Sequence, residues 1–391
     1  MLMLPQLDPL EIHSGIVLGA RRSRLPPVPP DIPRPPRRVL DELLIGALAR
    51  SPCYVLFSGG RDSSVMLAAA TETARKHGLP EPIPLTARFG AHPRTWETDW
   101  QERTIRHLGL TEWTQFEVRD ELDALGELAT GALLRHGPFW PPNAHTMLLF
   151  ARHVGSGSML TGGGGDELFA RWDWGRVPLR EIARWRPRRR VLKWGPYYCL
   201  PLRLRQKLPD NPPAIRMRWL TDEAHAQISR RQLNSQRAPP PAWADAVEQE
   251  YIRGRYLECL RATLDTFVAT TSACLIEPFY DVRLIRSVVA SAPAHGFASR
   301  TLALETLFGD LLPAEVLNRS TKAEFSGAVW GPAARAFARD WDGHGVDARL
   351  ADPELLRTEW LRERPDGRAL TLIQSAWYAQ QAQPRESASS R

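Results

Sequence analysis

The chain has 391 residues, of which 43% are hydrophobic and 24% charged, with a formal net charge of +7. These values are typical of a globular protein that buries a large core, either in two domains or in one large domain with additions. No apolar run is long enough to cross a membrane, and the apolar first ten residues lack the basic start of a signal peptide. The four cysteines are widely spaced, without a metal-ligand pattern, so we expect a reduced, cytoplasmic protein.

The first half of the chain alternates strand-like and helical patterns. After a head with one possible strand (residues 15–18) and a Pro-rich linker, apolar spacing predicts a helix over residues 38–50. Strands are then predicted at residues 54–57, 83–89, 114–118 and 159–160, and helices near residue 63 and at residues 98–108, 121–136 and 144–154. This βαβ rhythm predicts an α/β fold, a doubly wound parallel sheet whose ligands bind at the carboxyl ends of the strands.

The second half begins with a basic, tryptophan-rich insertion at about residues 171–245, and from Trp243 the pattern is helical through about Ala379. The basic residues predict either a solvated face or a docking surface for an acidic peptide or nucleic acid. They are Arg184, Arg186, Arg188, Arg189, Arg190 and Lys193. We divide the chain into a head and linker (1–36), a main domain (37–335) and a C-terminal helical extension with a disordered tail (336–391).

The first predicted strand ends in a glycine turn, which reads Ser58-Gly59-Gly60-Arg61-Asp62-Ser63-Ser64. Two glycines let the backbone turn tightly and bring its N–H groups close to a ligand, and the following helix start favours an anion. The three serines can donate to phosphate oxygens. Asp62 does not favour a bare anion, so we predict that it holds a magnesium ion that bridges to a phosphate. The Gly-Lys-Ser/Thr ending of a Walker loop is absent.

A second glycine turn follows the fourth predicted strand, and it reads Thr161-Gly162-Gly163-Gly164-Gly165-Asp166-Glu167-Leu168-Phe169. Four consecutive glycines weaken a regular element and are easiest to explain where the backbone lies against a ligand. Asp166 offers a second carboxylate for the same metal ion. Because both turns follow parallel strands, we expect them to share one site.

Four segments, in this order, resemble the asparagine synthetase family. The first turn resembles the family's pyrophosphatase loop, and Gly162–Phe169 resembles its second motif, Gly-x-Gly-x-Asp-Glu-Leu-Phe. Pro278–Asp281 resembles a Pro-Phe-Leu-Asp motif, and Arg319–Ser326 resembles Arg-x-x-Lys-x-x-Phe-Ser, which supplies a catalytic lysine. The resemblance covers about residues 37–335 and implies a fold of the PP-loop (adenine nucleotide α-hydrolase-like) type.

The resemblance also implies a reaction and the residues that carry it. ATP would lie with its triphosphate in the first turn, Asp62 and Asp166 would hold Mg²⁺, and Lys322 would stabilise developing negative charge, with Arg319 and Glu167 as further catalytic residues. A carboxylate would be adenylated, pyrophosphate released, and the adenylate coupled to an amine. The other implied contacts to the nucleotide come from the second turn (Gly162, Gly163 and Gly164) and from the second predicted strand (Leu85, Thr86 and Phe89).

Two departures concern the acceptor side of the site. Gly163 stands where the family has a glutamate that faces the substrate, and Cys274–Glu277 replaces the Glu-x-Arg-x that commonly precedes the proline of the third motif. Free aspartate is therefore not an expected substrate. Leu2 stands where glutamine-dependent members have a nucleophilic cysteine, and only about 36 residues precede the synthetase region, so we expect no glutaminase domain in this chain.

These departures favour an amine carried by the substrate itself, as in β-lactam synthetases and lasso-peptide cyclases. We predict an amide synthetase of peptide or natural-product biosynthesis, such as a lasso-type macrocyclase. It would be either a truncated variant of these branches or dependent on a partner protein that replaces the glutaminase-like domain. One alternative is an RNA-modifying enzyme, since related loops activate tRNA bases and the chain is basic. Because the second motif and Lys322 belong to the asparagine synthetase side, nucleic acid is not the expected partner. The other alternative is a non-catalytic nucleotide-binding scaffold.

Overall fold

The computed structural model describes eleven stretches of the chain: residues 4–20, 34–90, 95–169, 200–201, 204, 216–235, 243–293, 296–319, 321, 323 and 325–382. The predicted basic cluster at residues 184–193, most of the Pro-rich linker, the tail and Lys322 lie outside the described residues. Among those that are described, no helix is both long enough and apolar enough to cross a membrane.

The centre of the fold is a five-stranded, fully parallel sheet with the strand order β3-β2-β1-β4-β5. The strands are β1 (Cys53–Leu56), β2 (Ile83–Arg88), β3 (Thr114–Glu117), β4 (Ser158–Leu160) and β5 (Cys274–Ile276). The predicted α/β class and the first four strands are confirmed. The order reverses direction at β1, so the carboxyl ends of β1 and β4 lie side by side at a switch point.

Helices account for most of the remaining described chain. They are α1 (Pro9–Ser14), α2 (Pro36–Leu48), α3 (Arg61–His77), α4 (Thr98–Leu108), α5 (Glu127–His136), α6 (Thr146–Val154), α7 (Gly165–Leu168), α8 (Asp222–Ser235), α9 (Trp243–Ala246), α10 (Arg255–Val268), α11 (Val282–Ser291), α12 (Arg300–Phe308), α13 (Ala314–Leu317), α14 (Ser326–Val329), α15 (Pro332–Asp340), α16 (Pro353–Trp360) and α17 (Leu370–Ala382). Short π- and 3₁₀-helical turns lie at Val247–Ile252, Pro278–Tyr280 and Gly367–Ala369.

The helices cover both faces of the sheet. On one face, Val55 and Phe57 join the main core together with residues of α2 and α3. On the other face, Leu85 and Met159 pack with residues of α6 and α10. Both faces of the inner strands are therefore covered, as expected for a parallel sheet, whereas the edge strand β3 reads Thr-Gln-Phe-Glu and is partly exposed.

Three predicted elements are corrected by the structure. Residues 15–18 do not form a strand: Asp8 and Glu11 form a capping box that starts α1, and Gly15, with φ 64°, ends it. The chain after Trp243 is not wholly helical, because β5 pairs with β4. β5 has only three residues, which is too short for a visible alternation. The helix predicted from residue 121 begins at Glu127, because Asp123 is used to bind the start of α15 through Ala333 N and Ala334 N.

Candidate active site

The first glycine turn is held in place by α4. Gly59 has φ 81°, and a Cβ added there would lie 2.7 Å from Gln101 Cγ, so a side chain at this position would collide with the helix. Gln101 Nε2 donates to Ser58 O at 2.9 Å. The hydroxyls of Ser58 and Ser63 lie 3.1 Å apart and hydrogen-bond to each other. The turn is thus fixed by contacts within the protein, with its hydroxyls close together.

The turn leads directly into the N-terminus of α3. Gly60 is the N-cap residue and has no side chain to cap the helix, so the N–H groups of the first turn keep their capacity to bind an anion. Ser64 is fully buried within the helix, behind the cavity wall. Of the predicted phosphate ligands, Ser58, Gly60, Asp62 and Ser63 line the cavity described below.

The second glycine turn packs against the start of α3. A Cβ on Gly162 would lie 2.7 Å from the carbonyl carbon of Asp62, and one on Gly165 would lie 2.3 Å from Asp62 Cγ. Gly164, with φ 93°, faces the ring of Tyr280 at 3.0 Å from its would-be Cβ. The glycines are therefore needed for close approach of two chain segments, and this approach brings Asp166 next to Asp62.

One arginine joins the two carboxylates. Arg300, the first residue of α12, donates from Nη2 to Asp62 Oδ2 and from Nη1 to Asp166 Oδ1. Burial raises the pKa of Asp62 above its ordinary value, although Arg300 opposes the shift. Asp62 Oδ1 is buried and accepts no hydrogen bond from the described residues.

The same two carboxylates suit a magnesium ion. Mg²⁺ prefers oxygen ligands and is usually held by one or two carboxylates together with substrate phosphates. The unsatisfied Oδ1 of Asp62 is an oxygen that a cation would satisfy. No group of three or more His, Cys, Asp or Glu side chains forms a metal-ligand cluster in the described part of the chain.

A cavity of about 540 Å³ opens at the carboxyl ends of β1, β2 and β4, between the two turns. Its apolar part is lined by Leu85, Ala87, Phe89, Met147, Leu149 and Phe150. Its polar part is lined by Ser58, Arg61, Asp62, Asp166, Arg300 and Arg319. This volume is in the range of small-molecule sites, and an apolar slot beside a cationic, N–H-rich end suits a nucleotide.

Arg319 holds several parts of the cavity wall together. Its guanidinium is buried, pairs with Glu97, and donates to Gly59 O and, from Nη2, to Thr321 O at 3.0 Å. It also lies over the ring of Trp100. The structure therefore gives Arg319 a positioning role at the first turn, beside its place in the cavity lining. Phe325, later in the same segment, packs edge-on against Phe89.

Several other predicted residues lie beside the cavity rather than in its lining. Thr86 Oγ1 donates to Phe57 O at 2.7 Å and so ties β2 to the end of β1. Glu167 accepts a hydrogen bond from the Tyr256 hydroxyl at 2.5 Å. Gly59, Ser64 and Gly164 belong to the two glycine turns but do not line the cavity. Lys322 is outside the described residues, but its neighbours Thr321 and Ala323 both line the cavity.

Sequence reasoning missed Arg300, Gln101 and Glu97. None of them belongs to a glycine turn, and each reaches the site from a helix or from the residue just before one. The third motif has a structural place: Asp281 caps α11, and Tyr280 packs on the second turn. Gly163 lines the cavity, and Glu277 lies behind it, with Oε1 at 3.6 Å from the position of an added Cβ.

The fold is of the PP-loop type, and both glycine turns line one cavity at the carboxyl ends of its strands. Residues 40–385 match the asparagine synthase family. The match covers most of the chain, so the chain belongs to that family, whose members are ATP-dependent ligases that use ATP and Mg²⁺. A comparison with curated proteins finds no match.

Proposed function

We propose that the protein forms an amide bond by adenylating a substrate carboxylate. A carboxylate oxygen attacks the α-phosphorus of ATP, the bond to the bridging oxygen breaks, and pyrophosphate leaves. An amine nitrogen then attacks the acyl carbon, and AMP leaves as the amide forms. The observation that carries this proposal is the convergence of the two glycine turns on one cavity, with Asp62 and Asp166 side by side at its phosphate end.

The residues of the cavity support a division of roles. The N–H groups at the start of α3 and the hydroxyls of Ser58 and Ser63 bind the phosphates. The apolar wall around Leu85 and Phe89 holds the adenine ring. Asp62 and Asp166 hold magnesium, which when bound offsets the negative charge on the phosphates and the leaving pyrophosphate. Lys322, by its place in the motif, stabilises the charge that develops as the adenylate forms and reacts.

We further propose that the amine belongs to the substrate, as in the macrocyclisation of a lasso peptide or a related natural-product ring closure. Gly163 supports this, because it lines the cavity at the position where the family has a glutamate that faces the substrate, so that carboxylate is absent from the acceptor side. A partner protein that contacts the synthetase domain is part of the same proposal.

The test is ATP–pyrophosphate exchange in the presence of magnesium, with purified protein and peptide or amino-acid fractions from the native cell extract. We expect exchange that depends on one fraction, and Asp62→Asn should lower it by at least about a hundredfold. Asp310→Asn, an exposed aspartate outside the cavity, is the matched control. If ATP binds tightly but no fraction supports exchange, adenylation by this chain alone is wrong, and a missing partner or a scaffold role takes its place.

A further inference from the structure

Arg300 holds a fixed position between the two glycine turns. Ser299 caps α12 by accepting a hydrogen bond from Leu302 N at 3.1 Å, which sets Arg300 as the first residue of the helix. From there its guanidinium reaches both Asp62 and Asp166. The side chains of Arg300 and Asp62 are 19% and 15% exposed, so their contact is largely shielded from water and salt, whereas Asp166 is 52% exposed.

The guanidinium contacts one oxygen of each carboxylate that would hold a magnesium ion. It contacts Asp62 Oδ2 and Asp166 Oδ1, and these two carboxylates are the groups that would hold a magnesium ion. Two cations held by the same pair of carboxylates repel each other, so the guanidinium lowers the affinity of the carboxylates for a metal ion. Arginine and magnesium therefore compete for one pair of carboxylates.

A bound nucleotide offers Arg300 a second partner. Arg300 lines the cavity, and its Nε is buried without a hydrogen-bond acceptor among the described residues. A guanidinium matches phosphate oxygens with two parallel hydrogen bonds. Arg61, at the start of α3, is held next to it through Thr301 Oγ1 at 3.2 Å, so two arginines lie at the phosphate end.

We propose that Arg300 is a counter-ion that changes partners during nucleotide binding. Without nucleotide it pairs with Asp62 and Asp166 and keeps metal alone from binding well. When magnesium enters together with a pyrophosphate-bearing ligand, the metal takes the carboxylates and Arg300 moves to the phosphates. The protein thereby favours the metal–nucleotide complex over either component. This inference rests on the proposed function only in assuming that the cavity takes a magnesium–pyrophosphate group.

The test uses two probes that require no knowledge of the substrate. Calorimetric titration with Mn²⁺ alone, in the nucleotide-free protein, reports the competition, and titration with magnesium pyrophosphate reports the phosphate contact. We expect Arg300→Gln to bind Mn²⁺ roughly tenfold more tightly and magnesium pyrophosphate roughly tenfold more weakly than the wild type. Arg37→Gln is the matched control, because Arg37 also pairs with two carboxylates, Glu72 and Asp310, but does not line the cavity.

Two further variants separate the switch from a loss of folding. Arg300→Lys keeps the positive charge but loses the planar guanidinium that donates two parallel hydrogen bonds. It should therefore change the affinities for Mn²⁺ and for magnesium pyrophosphate in the same directions as Arg300→Gln, by smaller factors. In the double variant Arg300→Gln/Asp166→Asn, the gain in Mn²⁺ affinity should disappear, because the gain arises at the carboxylates.

Three outcomes would overturn the inference. If Arg300→Gln binds Mn²⁺ or magnesium pyrophosphate with the affinity of the wild type, Arg300 does not change partners, and the proposed function is unaffected. A gain in Mn²⁺ affinity that persists in the double variant would place the effect elsewhere. A wild-type protein that binds neither magnesium pyrophosphate nor magnesium ATP would refute the nucleotide site and the proposed function together.

Discussion

Glu277 is a carboxyl group whose charge the fold disfavours. It lies behind Gly163, and burial raises its pKa to about 7, with Arg261 opposing the shift and Asp265 adding to it. An acid with a raised pKa in the folded state binds more protons there than in the unfolded state. The free energy of unfolding therefore falls as the pH rises from the ordinary pKa of the carboxyl to about 7, and it changes no further above that value.

We expect Glu277→Gln to remove this part of the pH dependence. Between about pH 5 and about pH 8, the wild type should lose on the order of 2 kcal/mol more stability than the variant does. Urea unfolding of the wild type and of Glu277→Gln at both pH values gives four free energies of unfolding. Subtracting the pH-dependent change of the variant from that of the wild type cancels the contributions of other titrating groups. Glu112→Gln, at an exposed position before β3, should leave the wild-type difference unchanged. Equal slopes for wild type and Glu277→Gln would show that Glu277 is ionised in both states.

At the scale of elements, the start of α3 and the second glycine turn form one packed unit. The helix cannot carry Asp62 next to Asp166 unless the turn lies directly against it, and Gly165 is the closest point of that contact. The backbone at Gly165 is helical, so a side chain there is excluded by its neighbour and not by backbone strain.

We therefore expect Gly165→Ala to displace the Asp62 carboxylate and to weaken the binding of magnesium ATP by about tenfold or more. Gly131→Ala is the matched control: Gly131 lies in α5 with open space around its Cβ position, and alanine there should raise stability by about 0.5–1 kcal/mol without changing the affinity. Calorimetry and thermal unfolding measure the two effects. Wild-type ATP affinity in Gly165→Ala would mean that the turn can move away from α3 at no cost.

Sequence patterns predict secondary-structure elements and turns well. They predict poorly which distant residues tertiary packing brings into the site. Both glycine turns follow strands of the predicted parallel sheet, so their place at the same edge could be predicted from the βαβ rhythm. The structure adds that the two strands, β1 and β4, are neighbours. Arg300 could not be, because it lies 134 residues from Asp166 along the chain and an arginine at a helix start carries no motif. Gln101 was missed because it lies 43 residues from Ser58 along the chain and belongs to no motif. β5 was missed because three residues are too few to show a period.

At the scale of the whole molecule, the head is an integral part of the fold. α1 packs against α17, and a Cβ on Gly15 would collide with Arg368 O at 2.1 Å. The head is further joined to α10 by a buried ion pair between Glu11 and Arg255, whose side chains are 1% and 7% exposed. Glu11 Oε1 also accepts from Leu18 N at 2.8 Å, so the carboxylate organises the chain that follows α1.

Breaking this pair should destabilise the whole protein and not the head alone. Arg255→Met leaves Glu11 buried without its cation, and we expect a loss of about 3–5 kcal/mol in a single urea transition. Arg253→Met, which removes a more exposed pair with Glu248, should cost at most about 1 kcal/mol. The double variant Glu11→Gln/Arg255→Met should recover part of the loss, because no charge then remains buried. A separate early transition in Arg255→Met would instead show that the head unfolds independently of the sheet.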